Sequence, residues 1–208
     1  MRIALVLLLV VFAACKPSNN AAPRATSAAV AAEPAAVPVA PIEGAVAYPF
    51  TQADSKLTWL GQKVTGKHEG RFGVFGGIIE LVGGDVTKSR VRAEVDMRSL
   101  STTPEKLVAH LKSDDFFGVE KFPRATFVST VIQKTGEAYS VTGNLTMHGV
   151  ARAITFPASI TVSDAEVTVN AEFAINRKEF GIVYPGKPDD LIADDVALKL
   201  DVHAKKKI

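Results

Sequence analysis

The side chains that could perform chemistry in this chain are its histidines, its clustered carboxylates and a few basic residues. The four histidines are isolated in sequence, and no two of them have zinc-binding spacing: His68, His110, His148 and His203. No GxSxG elbow is present, and no Gly-rich phosphate loop precedes a helix. The densest acidic cluster is typical of a solvated loop, with a weak calcium site as the alternative: Asp189, Asp190, Asp194 and Asp195. We therefore predict no enzyme activity, no cofactor and no metal.

The charge and cysteine content exclude further classes. The formal net charge of the 208 residues is +2, which does not indicate nucleic-acid binding. The one cysteine, Cys15, lies outside residues 45–208, the segment predicted to fold. That segment therefore has no disulfide, no thiolate metal site and no cysteine nucleophile.

The N-terminus has the pattern of an export signal. Arg2 precedes a continuous apolar run over residues 3–12, which is too short to span a bilayer and is typical of a signal peptide covering residues 1–14. The sequence Val11-Phe12-Ala13-Ala14-Cys15 resembles a bacterial lipobox, with an ordinary signal peptide as the alternative. The resemblance implies cleavage before Cys15 and its acylation, for example with palmitate. It also implies a periplasmic location in the cell envelope, and Lys16 favours the outer membrane over the inner one.

Residues 15–44 are rich in Ala, Pro and Ser and contain few large apolar residues. Such a composition cannot bury enough surface to order itself, so we expect a disordered tether after the acylated cysteine. Its prolines favour an extended chain, in which about 30 residues would reach on the order of 90 Å.

The elements that must position any site are β-strands. Residues 139–156 alternate between apolar and polar up to His148-Gly149 and then alternate again, which predicts an antiparallel hairpin. The same period of two recurs at residues 55–59, 90–96, 166–175 and 195–203. One helix is predicted after Pro104, with a hydroxyl cap from Thr102 and its end at Ser113. About eight strands, with one short helix after the third, indicate a single all-β domain over residues 45–208, either an antiparallel barrel or a rolled sandwich.

Several short motifs in their order resemble the YceI-like lipid- and polyisoprenoid-binding family. They cover about three-quarters of the chain and include Ser55-x-Leu57-x-Trp59, His68-x-Gly70-x-Phe72, Lys121-Phe122-Pro123, Gly143-x-Leu145-Thr146-x-His148-Gly149 and Arg177-x-x-Phe180-Gly181. The resemblance implies an eight-stranded antiparallel lipocalin-like barrel with a long apolar pocket. The implied ligand is a long-chain amphiphile such as a polyisoprenoid, a quinone or a fatty-acid derivative.

The inward faces of the predicted strands supply the pocket. Nine residues are expected to line it: Val91, Ala93, Val95, Phe127, Val141, Leu145, Val169, Phe173 and Leu198. Arg177, Lys178 and Lys187 are candidates to meet a polar head group at the mouth.

Two other functions stay open at this point. The same inward residues could be a packed core, which would make the domain a structural or interaction module. A lipid-modifying enzyme, with His and Asp residues converging at the mouth, is the less favoured alternative. Homodimerisation is also left open.

Overall fold

The computed structural model describes residues 22–30 and 40–207. The predicted signal peptide, the acylation site Cys15 and the rest of the predicted tether lie outside the described residues. Within the described residues, no helix is both long and apolar enough to cross a membrane.

The described chain is all-β apart from one α-helix and two short 3₁₀ turns. The helix α1 is Glu105–Lys112, and the 3₁₀ turns are Met97–Ser99 and Arg177–Phe180. The strands, in chain order, are β1 Thr26–Ala29, β2 Ala45–Thr51, β3 Lys56–Lys63, β4 Gly66–Phe72, β5 Phe75–Val82, β6 Asp85–Asp96, β7 Leu100–Thr102, β8 Arg124–Thr135, β9 Ala138–Met147, β10 Val150–Val162, β11 Glu166–Asn176, β12 Gly186–Lys187, β13 Asp190–Leu191 and β14 Asp195–Lys205.

One curled antiparallel sheet contains twelve of these strands. Eleven follow the order β2-β5-β6-β8-β9-β10-β11-β14-β3-β4-β7, and β1 pairs with β10 at the side of this path. The chain after β14 returns to β2, where the amide of Lys207 donates to the carbonyl of Ala47 over 3.0 Å. The curled sheet encloses the core, in which Met97, Leu100 and Phe180 are fully buried.

The predicted count of eight strands is not observed. The sheet has twelve because three bends, at residues 52–55, 73–74 and 97–99, each separate two strands, and because β1 joins at the side. At the third bend the carboxylate of Asp96 accepts the amide of Arg98 over 3.0 Å, which starts a 3₁₀ turn before β7. The helix therefore follows β7 rather than a third strand. Alternation reports which face is buried, but it does not report where a strand changes direction.

A helix forms over the residues that the sequence indicated, Glu105–Lys112, but its cap differs. Pro104 is the N-cap residue, and no side chain caps the helix. The hydroxyl of Thr102 instead donates to the carbonyl of Glu69 on the neighbouring strand. The expected hydroxyl cap is wrong because Thr102 belongs to β7 and its side chain bonds across the sheet.

Part of the segment predicted as a disordered tether is a strand. β1 pairs with β10 from Thr26 opposite Thr155 to Ala29 opposite Arg152. Ala25, just before it, is buried within the core. The prediction of disorder is wrong for these residues because two existing strands supply the hydrogen-bond partners that the segment cannot supply for itself.

Candidate functional site

The interior of the curled sheet holds a cavity of about 470 Å³. All nine residues predicted to face inward line it: Val91, Ala93, Val95, Phe127, Val141, Leu145, Val169, Phe173 and Leu198. They come from β6, β8, β9, β11 and β14, so the cavity extends across most of the sheet. Drug-sized pockets usually begin near about 300 Å³, so this space is large enough for an organic ligand.

Aromatic side chains form much of the cavity wall. Phe156 and Phe173 stack with their ring centroids 4.1 Å apart, and Phe127 packs against Phe156 at 5.7 Å. Trp59 lies over Gly70 on the neighbouring strand, where any larger residue would overlap its ring. These rings make the wall apolar and fix its shape, because each is packed against another element.

One end of the cavity is polar. We call it the polar end: it is formed by residues 62–68, by loop 184–192 and by α1. His110 on α1 meets Phe116 and Tyr184 with ring centroids 5.0 Å away in each case. Its Nε2 also lies 3.0 Å from the Asp115 carboxylate. Tyr184 thereby joins the loop to the helix across the cavity.

Asp190 ties the same loop to the β3–β4 turn. Its carboxylate accepts from the Lys63 ammonium and, over 3.0 and 2.9 Å, from the amide and hydroxyl of Thr65. The Lys63 hydrogen bond, and then those from Thr65, hold the pKa of Asp190 below its ordinary value of 3.8. Lys63 lines the cavity, but its charge is already paired.

The three head-group candidates are in different environments. Arg177 lines the cavity, yet it is only 4% exposed. Its guanidinium donates to the carbonyls of Ala193, Ile182 and Ile192 over 3.1, 2.8 and 3.3 Å. Burial lowers the pKa of Arg177, and the nearby Asp194 opposes that shift. These contacts give Arg177 a structural role.

Lys178 and Lys187 flank the same region of the chain. Lys178 does not line the cavity and pairs with Asp194 over 2.9 Å, which is the main cause that lowers the pKa of Asp194. Lys187 lines the polar end and is exposed. Of the three candidates, Lys187 alone combines contact with the cavity and access to solvent.

The remaining histidines occupy separate places. His148 has φ 52° in the β9–β10 turn, where the hairpin was predicted to turn, and its Nδ1 lies 3.0 Å from the Phe180 carbonyl oxygen. His203 on β14 lies 3.2 Å from each of two carboxylates, those of Glu166 and Asp201. Over residues 22–30 and 40–207, no cluster of three His, Cys, Asp or Glu side chains could hold a metal.

The acidic cluster is divided among separate cations. Asp190 pairs with Lys63, Asp194 with Lys178, and Asp195 with Arg24. Three of the four aspartates therefore have a cationic partner, and the fourth, Asp189, is exposed.

Three groups at the cavity were missed from the sequence: Trp59, the His110–Phe116–Tyr184 contact and the Lys63–Asp190 pair. The alternation of residues 55–59 already placed Trp59 on the inward face of its strand. The other two groups join residues that are far apart in the chain, and nothing local indicates them.

Comparison with known proteins agrees with this architecture. The family model of the YceI-like domain matches residues 48–204. A UPF0312 protein of Pseudomonas putida (strain GB-1) is 31% identical over 153 residues, which are 70% of this chain and 78% of that protein.

Solved structures share the fold. BcnA of Burkholderia cenocepacia superposes with a TM-score of 0.68 at 25% identity, covering 74% of this chain and 98% of BcnA. A polyisoprenoid binding domain from Saccharophagus degradans superposes with a TM-score of 0.64 at 18% identity, covering 78% of this chain and 99% of that domain. The family model covers most of the chain, and solved structures share its curled sheet. The chain therefore belongs to the YceI-like domain family.

Proposed function

We propose that this protein binds a long-chain amphiphile, such as a polyisoprenoid, a quinone or a fatty-acid derivative, in the cavity of a lipocalin-like barrel. The observation that carries the proposal is the apolar cavity of about 470 Å³. The alternative of a filled structural module would leave no such space. The structural neighbour described as a polyisoprenoid binding domain supports the same ligand class.

The energetics favour a mostly apolar ligand. Removing apolar surface from water contributes roughly 25 cal/mol per Å², so a chain that buries several hundred Å² binds even after ordering costs are met. The head group would lie at the polar end, where Lys187 is exposed and lines the cavity. An anionic or strongly polar head group suits that position.

A cavity-blocking substitution tests the proposal. Val169 faces the cavity from β11, whereas Asn170, the next residue, is exposed and does not line it. We expect Val169→Trp to reduce geranylgeraniol binding at least about tenfold by occupying the cavity, and Asn170→Trp to leave it unchanged. Circular dichroism would verify that both variants are folded.

Native mass spectrometry of protein purified from its own host would identify the natural ligand. Protein that is repeatedly recovered empty, and that exchanges no lipid in vitro, would contradict the proposal.

We further propose that the mature chain is attached to the envelope through acylated Cys15, in the periplasm and on the outer membrane. The lipobox-like sequence before Cys15 supports this attachment. Two or more acyl chains hold a protein firmly, whereas one gives only reversible binding. Cys15→Ser should move the protein from the membrane fraction to the soluble fraction. Labelled palmitate incorporated into that variant would contradict the attachment.

A further inference from the structure

Strands β10 and β11 separate partway along their length. They pair with each other only where Ser159–Val162 meets Val167–Asn170. Beyond that point β10 pairs with β9 on one side, and β11 pairs with β14 on one side. The facing edges of residues 150–158 and 171–176 therefore do not pair with each other. We call the gap between these two edges the slot.

Residues 23–29 occupy this slot. β1 runs antiparallel to β10 over four residue pairs. On its other side the amide of Ala25 donates to the Ala174 carbonyl over 2.8 Å, and the amide of Ala174 donates to the Pro23 carbonyl over 2.9 Å. The N-terminal segment thus completes the wall by bonding to both diverging strands.

The slot lies over side chains that line the cavity, although none of residues 23–29 lines it. Four cavity-lining residues flank it: Ile154, Phe156, Phe173 and Ile175. Ser27 lies opposite Ile154 in the ladder, and directly opposed residues share one face of a sheet. Ser27 therefore points toward the cavity side of the sheet. On that same side, Phe156 and Phe173 stack on each other across the slot.

The inserted segment is held with little side-chain burial. Ala25 is its buried apolar residue, at 7% exposure. The Ser27 hydroxyl is buried, and the described residues give it no hydrogen-bond partner, which costs stability. Arg24 pairs with Asp195 over 3.0 Å, but both side chains are about half exposed, and such pairs contribute little. Segments with few buried apolar contacts are the ones that open locally.

We propose that residues 23–29 are a removable strand that covers the cavity-lining side chains between β10 and β11, and that their release opens a lateral port there for a long apolar ligand. This inference rests on the proposed ligand-binding function. A ligand that enters through the lateral port would separate the stacked rings of Phe156 and Phe173. It would not pass Tyr184 at the polar end.

A reversible lock tests the port. Ala28 and Ala153 are opposite each other in the ladder. Their separation, about 4.5–5.5 Å between Cα atoms of such pairs, suits a disulfide. We would introduce Ala28→Cys and Ala153→Cys in a Cys15→Ser chain and follow geranylgeraniol entry by the emission of Trp59, the only tryptophan. The reduced form of the same protein is the control.

We expect the oxidised form to bind and release geranylgeraniol at least about tenfold more slowly than the reduced form, with the same affinity, because a gate alters rates alone. Ala25→Asp, which places a charge at the buried contact, should accelerate exchange, and Ala28→Asp at an exposed position of β1 should not. Equal rates in the oxidised and reduced forms would overturn the port while leaving the binding function intact. No Trp59 response in any form, together with no co-purified lipid, would overturn the binding function and the port with it.

Discussion

At the scale of single residues, Arg177 shows that a motif can indicate where a side chain lies without indicating what that side chain binds. Its place in the family-like motif made it a head-group candidate, but its guanidinium is used by three backbone carbonyls. Those carbonyls belong to loop residues that follow it by 5 to 16 positions, and no local pattern announces them. The position could be predicted from the sequence, whereas the role could not.

Arg177→Met should therefore destabilise the fold. Methionine keeps the length of the side chain but leaves the carbonyls of Ala193, Ile182 and Ile192 without donors. We expect a loss of about 3 kcal/mol in the free energy of unfolding, measured by urea denaturation. Lys178→Met is the matched control, because Lys178 is 46% exposed and its ion pair should contribute at most about 1 kcal/mol. Unchanged stability in Arg177→Met together with lost ligand binding would restore the head-group role.

Asp190 makes the polar end sensitive to acid. Its pKa is lower in the folded protein than its ordinary value of 3.8 because Lys63 and Thr65 donate to it. The stabilisation is therefore complete above that ordinary value and is lost as the pH falls through the lower folded value.

We expect the amide of Val64, which donates to the Leu191 carbonyl, to lose protection from hydrogen exchange as the pH falls through this range. The intrinsic pH dependence of exchange would be corrected with the unfolded chain. Asp190→Asn should show the weakened protection already at neutral pH. If Asp190→Asn had the same protection as the wild type, both at neutral pH and in the acidic range, this account would be wrong.

At the scale of elements, close packing between strands depends on where glycine lies. Gly70 on β4 faces the Trp59 ring and the Ser101 carbonyl, so an added methyl group would overlap both. Gly66, at the start of the same strand, has open space around it. We expect Gly70→Ala to cost about 2 kcal/mol or more in the free energy of unfolding and Gly66→Ala almost nothing. Equal denaturation midpoints for the two variants would show that Trp59 can move aside.

The alternating elements could be predicted, whereas the inserted one could not. Strands with a strict period of two, such as residues 90–96 and 166–175, appear as β6 and β11, and all nine residues assigned to the inward face line the cavity. β1 reads Thr-Ser-Ala-Ala, which has neither large apolar residues nor alternation. It is a strand because β10 and β11 offer unpaired edges, and that condition exists only in the assembled sheet. The bends that divide the strands likewise depend on contacts between elements.

At the scale of the whole molecule, β1 shortens the connection between the domain and its proposed attachment. Pro23 follows Cys15 by eight positions, which limits that reach to about 28 Å. If β1 left its slot, the next contact among the described residues would be at Ala40, whose carbonyl accepts from Arg90 over 2.6 Å. The maximum reach would then be about 85 Å, close to the reach expected from the sequence for the whole tether when extended.

The distance between lipid and domain should therefore report whether β1 is docked. We would place the dye at Asp164→Cys, in the exposed turn between β10 and β11, and record single-molecule energy transfer to a labelled lipid. The wild-type background should give a narrow distribution of short distances. Ala25→Asp should broaden it, because the typical separation spanned by the predicted disordered tether would grow from about 16 Å to about 28 Å when its length rises from 8 to 25 residue steps. Ala28→Asp should behave as the wild type, since its side chain is exposed. A broad distribution already present in the wild type would mean that β1 is not held in its slot at the membrane, and the short connection would then be wrong.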